Sequence, residues 1–157
     1  MENKELITEF YSALAELNEE RMTACYHPEV TFEDPAFGIL QGEDAANMWR
    51  MLCRSQKGKD FRVSHSVLNG DEDTVRAHVT ADYYFGKNKR KVHNEINASF
   101  IFRDGLIIDH RDVFDLYKWA RQAMGTTGIL IGWTPLFRKK LHRQTRGMLE
   151  KFIRSSH

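Results

Sequence analysis

Apolar residues near the start of the chain recur at steps of four and three. Leu6, Phe10, Leu14 and Leu17 form one stripe, with Ile7 and Tyr11 beside it, so the pattern predicts an amphipathic helix. Asn18 can end it and cap a second, short helix over Glu19 to Tyr26, which His27-Pro28 terminates. Glu29 to Glu33 is a β-branched and aromatic run that predicts a short strand, and Asp34-Pro35-Ala36-Phe37-Gly38 is a turn by composition. Gly42-Glu43-Asp44 opens a third helix with Ala45, Met48, Trp49 and Leu52 on its apolar side.

Beyond that helix the period changes from helical to alternating. Phe61 to Leu68 predicts a strand, followed by the turn signal Asn69-Gly70-Asp71. Thr74 to Phe85 alternates with Ala77, Val79, Ala81, Tyr83 and Phe85 on one face, and Gly86 to Lys89 turns the chain. Lys91 to Phe102 places Asn94, Ile96, Ala98, Phe100 and Phe102 on one face, and Asp104-Gly105 leads into a last strand, Leu106 to Asp115. Strands joined by short turns, with helices before them, predict an α+β fold: a curved, mainly antiparallel (mixed) sheet with N-terminal helices packed on one face. A helical extension follows, Leu116 to Met124 and Leu136 to Ile153, broken at Gly125-Thr126-Thr127-Gly128 and restarted by Thr134-Pro135.

Length and charge narrow the class. At 157 residues the chain fits one domain, with a core over about 5–115 and the extension over about 116–157. Apolar residues are 41% and charged residues 29% of the chain, ordinary for a globular protein. No apolar run approaches membrane-spanning length and the N-terminus does not pattern as a signal peptide, which points to a cytoplasmic protein. Cys25 and Cys53 lie far apart and read as buried thiols of a reducing compartment. A net charge of +1 argues against a nucleic-acid coat. The final helix is basic, yet its stripe of Phe137, Leu141, Thr145, Met148 and Phe152 is the pattern of packing against a sheet or a partner subunit, so neither nucleic acid nor membrane is expected as a partner.

Phe10-Tyr11-Ser12-Ala13-Leu14, then Phe32-Glu33-Asp34-Pro35, then three long strands, resemble the ketosteroid isomerase family of the nuclear transport factor 2 superfamily. Within it, Val92-His93-Asn94, Ala98-Ser99-Phe100, His110-Arg111-Asp112 and the run from Asp115 to Ala123 are most similar to SnoaL-like proteins. The resemblance implies a cone-shaped fold around a pocket for a small apolar ligand, often a homodimer, on a scaffold that hosts isomerases, cyclases, epoxide hydrolases, dehydratases and non-catalytic binders. The expectation is a cofactor-free isomerase or cyclase acting next to a carbonyl, with a non-catalytic binding module or a water-activating epoxide hydrolase as the alternatives.

Asp34, between Phe32 and Phe37, matches the family's general base; its surroundings would strip hydration and raise its pKa, although Asp-Pro is also an ordinary turn pair. Tyr11 matches the tyrosine that donates a hydrogen bond to a substrate oxyanion, and is also a plain core position. The family's second donor falls at about Ala98, which has none to offer, while Asp112 lies where SnoaL-like cyclases place an acid/base. These three, Asp34, Tyr11 and Asp112, are the candidate catalytic residues. Asn94, Trp49, Phe37, Tyr83, Phe100 and His110 are candidate ligand-binding residues, with core packing the alternative for the aromatic ones. His110 beside Asp109 and Asp112 offers too few convergent ligands for a metal.

Overall fold

A computed structural model of the chain describes residues 2–71 and 73–156. Helices α1 (Asn3–Ala15) and α2 (Glu19–Thr23) lead into strands β1 (Tyr26–Asp34) and β2 (Gly38–Gln41), and α3 (Glu43–Gln56) follows. Strands β3 (Arg62–Gly70), β4 (Thr74–Phe85), β5 (Arg90–Arg103) and β6 (Leu106–Val113) come next. Helices α4 (Leu116–Met124), α5 (Thr126–Ile131) and α6 (Pro135–Ser155) end the chain. The six strands form one open mixed sheet in the order β2-β1-β6-β5-β4-β3.

The predicted meander is present as antiparallel β3-β4-β5-β6, with Ala77 opposite Ala98 and Ala98 opposite Asp112. The added feature is β1, which joins β6 in parallel and carries β2 on its other edge. Alternation then gives each strand one inward row. Val30, Phe32, Val75, Ala77, Val79, Val92, Ala98 and Phe100 are all buried, and α1 and α3 cover that face with Ile7, Phe10, Met48 and Trp49.

Several boundaries differ from those predicted. The second helix stops at Thr23, because Tyr26 to Pro28 belongs to β1. The β1–β6 register shifts between Tyr26 and Thr31, and that irregularity accommodates Pro28, which has no N–H to give a regular ladder. Strand β3 runs through Gly70, so the turn begins at Asp71, whose Oδ1 accepts from the N–H groups of Asp73 and Thr74 at 2.9 and 2.8 Å. The last strand ends at Val113, because Asp115 caps α4 by accepting from Lys118 N at 3.0 Å. The segment at Gly125 breaks the helix as expected but then forms α5.

Thr134 caps α6 by accepting from Phe137 N at 3.1 Å, with Pro135 in the first turn. The buried stripe of α6 is Phe137, Leu141, Thr145 and Leu149, steps of four throughout; Met148, predicted to pack, is 55% exposed. Two hydrophobic clusters result. The larger joins α1, α3 and the sheet; the smaller joins Val92 to Leu116, Trp119, Ala120, Phe137 and Leu141 of the extension. Cys25 and Cys53 are buried free thiols. Among the described residues, no helix is long and apolar enough to cross a membrane.

Candidate functional site

Between the two clusters lies a cavity of about 300 Å³, walled mainly by aliphatic and aromatic side chains from α1, α3, the inward sheet face, α4 and α6. Tyr11, Asp34, Asn94 and Asp112 reach its wall, as do Phe37, Trp49 and Tyr83. Phe100 and His110, predicted as lining residues, do not: both are fully buried behind the wall and pack on each other with tilted rings, centroids 4.2 Å apart.

Asp34 ends the inward row of β1 that begins with Val30 and Phe32. Its Oδ1 accepts from the N–H groups of Ala36 and Phe37, at 2.9 and 2.6 Å, so the Asp-Pro turn forms and also holds the carboxylate still. Burial pushes its pKa up to about 7, against the two backbone donors that pull it down, and the nearby charge of Asp112 adds to the rise. Its other oxygen makes no hydrogen bond among the described residues and is left for the cavity. The turn is clamped from outside: His142 Nε2 donates to the carbonyl of Pro35 at 2.8 Å, and Thr145 Oγ1 donates to that of Ala36 at 3.0 Å.

Asp112 is 9% exposed and sits across the ladder from Ala98. Where the resemblance places a donor on β5, the carboxyl group of this chain stands one strand over, on β6. A buried hydrogen-bonded chain fixes it. Trp49 Nε1 donates to Tyr26 Oη at 2.8 Å, Tyr26 Oη contacts His110 Nδ1 at 2.7 Å, and His110 Nε2 contacts Asp112 Oδ1 at 2.7 Å. Indole nitrogen can only donate, so Tyr26 Oη accepts from it; where the Tyr26 hydroxyl donates to Nδ1, the neutral imidazole has its proton on Nε2 to give to Asp112. His110 therefore spends both ring nitrogens within the fold, inside a cage of Phe10, Phe32, Phe100 and Trp49, and has none left for a ligand or a metal. It ties the Asp112 carboxyl to Tyr26.

Tyr11 is 3% exposed and rests on His65, with ring centroids 5.2 Å apart. Burial, then the charge of Asp112, push its pKa well above the ordinary phenol value, so it remains a hydrogen-bond donor. Neither its hydroxyl nor the amide of Asn94 has a hydrogen-bond partner among the described residues, although both side chains are buried. Tyr83 Oη accepts from Trp119 Nε1 at 2.8 Å and is tied to α4.

The sequence reading missed three groups. Tyr26 lay hidden in a predicted helix. Gln56 lines the cavity with a buried Oε1 that has no hydrogen-bond partner among the described residues. The α6 wall of Leu141, Gln144, Thr145 and Met148 had one signal in the sequence, a threonine set within an apolar stripe.

A family model described as SnoaL-like domain matches residues 7–110. Among curated proteins, no significant match was found. An LEH-like epoxide hydrolase of M. tuberculosis is similar in structure, with 19% identity over 80% of this chain and 92% of that one and a TM-score of 0.59. TerC, co-crystallised with polyporic acid, shares 18% identity over 77% of this chain and 97% of that one, with a TM-score of 0.65. SalBIII, an epoxide hydrolase/cyclase-like enzyme in pyran ring formation in polyether salinomycin, shares 17% identity over 73% of this chain and 92% of that one, with a TM-score of 0.61. Identities this low bear on the fold, which is that of the nuclear transport factor 2-like proteins. With the family model spanning helix α1 to strand β6, the chain belongs to the SnoaL-like domain family.

Proposed function

We propose that this chain is a small-molecule enzyme of the isomerase or cyclase type that works without a cofactor on an apolar, carbonyl-bearing compound. The observation that carries the proposal is the composition of the cavity wall. It is mainly apolar, and several of its polar groups keep unused bonding capacity: Tyr11 Oη, the Asn94 amide, Gln56 Oε1, and one oxygen each of Asp34 and Asp112. Buried polar groups are ordinarily satisfied, so groups left open toward one cavity are arranged for something that enters it.

In this reading Asp34, with a pKa near 7, takes a proton from the carbon next to the carbonyl. The C–H electron pair moves into the enolate, whose oxygen receives the Tyr11 hydrogen bond in a site with little water. Asp112, oriented by His110, returns or relays a proton to the product carbon. The aromatic and aliphatic walls favour a cyclic ketone or a polyketide-like compound.

The test is deuterium uptake at the α-carbon across a panel of ketones and enones in heavy water, followed by NMR. The native chain should catalyse exchange and Asp34→Asn should lose it while still binding the compound. Exchange by neither protein for compounds shown to bind, or equally by both, would count against the mechanism.

A second reading rests on Asn94 and Asp112, two buried polar side chains open to the same cavity that could hold a water between them. An epoxide would then be opened to a diol, and oxygen-labelled water would appear in the product only if Asp112 is intact.

A further inference from the structure

Helix α5 faces the fold the wrong way round for a core helix. The side it turns to α4 is glycine. A Cβ on Gly128 would lie 2.0 Å from the carbonyl oxygen of Ala120, and one on Gly132 would lie 2.8 Å from the Ala120 side chain. Tyr117 Oη then donates to the carbonyl of Ile129 at 3.0 Å, fixing the helix on α4. With glycines inward, the bulky side chains point out. Ile129 is 51% exposed, Leu130 67%, Trp133 69% and Leu136 76%. Apolar side chains clustered this way on an outer surface call for a partner.

Charge indicates which partner. Residues 116–157 carry nine Lys and Arg against a single Glu, while the rest of the chain is net acidic. On α6, Lys139, Lys140 and Arg143 follow Leu136 at steps of three, four and seven, so they share its face of the helix. All three are exposed, as is Arg138, and none of the four side chains makes an ion pair or hydrogen bond among the described residues. An exposed apolar run containing tryptophan, followed by cations without ion pairs that share a face of α6 with its last member, Leu136, suits a bilayer interface, with acyl chains to take the apolar side chains and anionic headgroups to take the cations.

We infer that the α5–α6 surface of this chain docks on an anionic phospholipid membrane through Ile129, Leu130, Trp133 and Leu136, with Lys139, Lys140 and Arg143 on the headgroups. This is a surface attachment, and it holds whatever chemistry the cavity performs. Of the predicted stripe of α6, Phe137, Leu141 and Thr145 pack inward; the docking residues lie before them and on the opposite side of the helix.

The experiment uses the intact chain with vesicles of phosphatidylcholine alone or of equal parts phosphatidylcholine and phosphatidylglycerol. Co-sedimentation should occur with the mixed vesicles, weaken with added salt and be feeble with the neutral ones. Tryptophan emission should shift to the blue on binding, because Trp133 is exposed while Trp49 and Trp119 are each 6% exposed. Lys139→Ala with Lys140→Ala should weaken binding roughly 25-fold, about fivefold for each charge. Leu130→Ser with Trp133→Ser should abolish co-sedimentation without lowering the melting temperature, since both side chains are exposed and neither supports the core. Three results would overturn the inference: no binding to anionic vesicles at low salt, retained binding by the Leu130/Trp133 variant, or a concentration-dependent dimer that this variant dissolves. The last would assign the surface to a second copy of the chain.

Discussion

Asp34 sits between opposed influences, since burial favours its protonated form while two backbone N–H groups favour the carboxylate. The result, about 7 in the fold against 3.8 for an ordinary Asp carboxyl, has a definite sign in stability. A folded value above the unfolded one means that the fold holds the proton more tightly between the two. The contribution is full below the lower value and is lost as pH rises through the higher. Asp34→Asn keeps the acceptor for Ala36 and Phe37 but removes the charge. The variant should therefore be more stable than the native chain above neutral pH, by roughly 2–4 kcal/mol, and the gap should close toward pH of about 4. Urea unfolding at both ends of that range measures it, and equal midpoints above neutral pH would mean that Asp34 is hydrated. If Asp34 is the base, kcat/KM for exchange should rise about tenfold per pH unit up to about 7 and then level off. His110 makes a separate prediction. His110→Phe deprives both the Tyr26 hydroxyl and Asp112 Oδ1 of their buried partner, at a cost of about 2–5 kcal/mol. Trp49→Phe removes only a donor to Tyr26 and should cost less, although it also leaves a small gap. Equal losses in chemical denaturation would contradict the order of the relay.

Elements were legible where one face is buried along a whole strand or helix. Strand β4 and helix α4 have the predicted limits, because alternation in Ala77, Val79 and Ala81 and the Asp115 cap are local signals. The inward placement of Asn94 and Asp112 followed from the same alternation once the register held. Strand β2 was not legible: four residues pairing only with β1 offer no period to read. Nor was the start of β1, where Pro28 reads as a stop and is tolerated only because the parallel ladder is irregular there. His110 was misplaced for a related reason. A strand shows which face a side chain takes but not whether another layer stands between it and the cavity. Helix α5 was concealed by its own glycines, which read as a break although they are what allows it to approach α4. Gly128→Ala should accordingly lower the melting temperature by several degrees, because the atoms in the way are backbone. A control at Gly147, which meets nothing within 4 Å, should raise it slightly. The α6 clamp on the Asp34 turn has its own readout. His142→Ala with Thr145→Val removes both donors to the turn, and should slow exchange about tenfold and lower the pH at which the rate levels off, as water gains access to Asp34.

Across the whole molecule, the position of the cavity matters more than its size. Tyr11, Met48, Trp49 and Val79 on one side of it belong to the larger cluster, while Trp119, Leu141, Tyr83 and Phe85 on the other belong to or pack on the smaller. The site is thus the seam between two cores, closed by an extension that touches the rest mainly through α4 on β5 and α6 on α3. Units with few bonds to their surroundings open at lower free energy than the whole. Amides of α4 to α6 should therefore exchange with solvent through a partial opening, while those of β4 and β5 should require global unfolding. A compound bound in the seam touches both cores, so it should raise protection in α4 to α6 most strongly, by a factor that grows with ligand concentration. Leu141→Ala tests this directly. Leu141 is buried and borders the cavity, so its loss should lower the partial opening energy by about 2–4 kcal/mol while leaving the global one closer to native. Hydrogen exchange read by mass spectrometry separates the two. If every helix and strand loses protection together, the extension and the sheet fold as one unit and entry to the cavity requires a different route. If only α4 to α6 loosen, then the extension is the door, and ligand affinity is set by how often that door stands open as well as by the walls behind it.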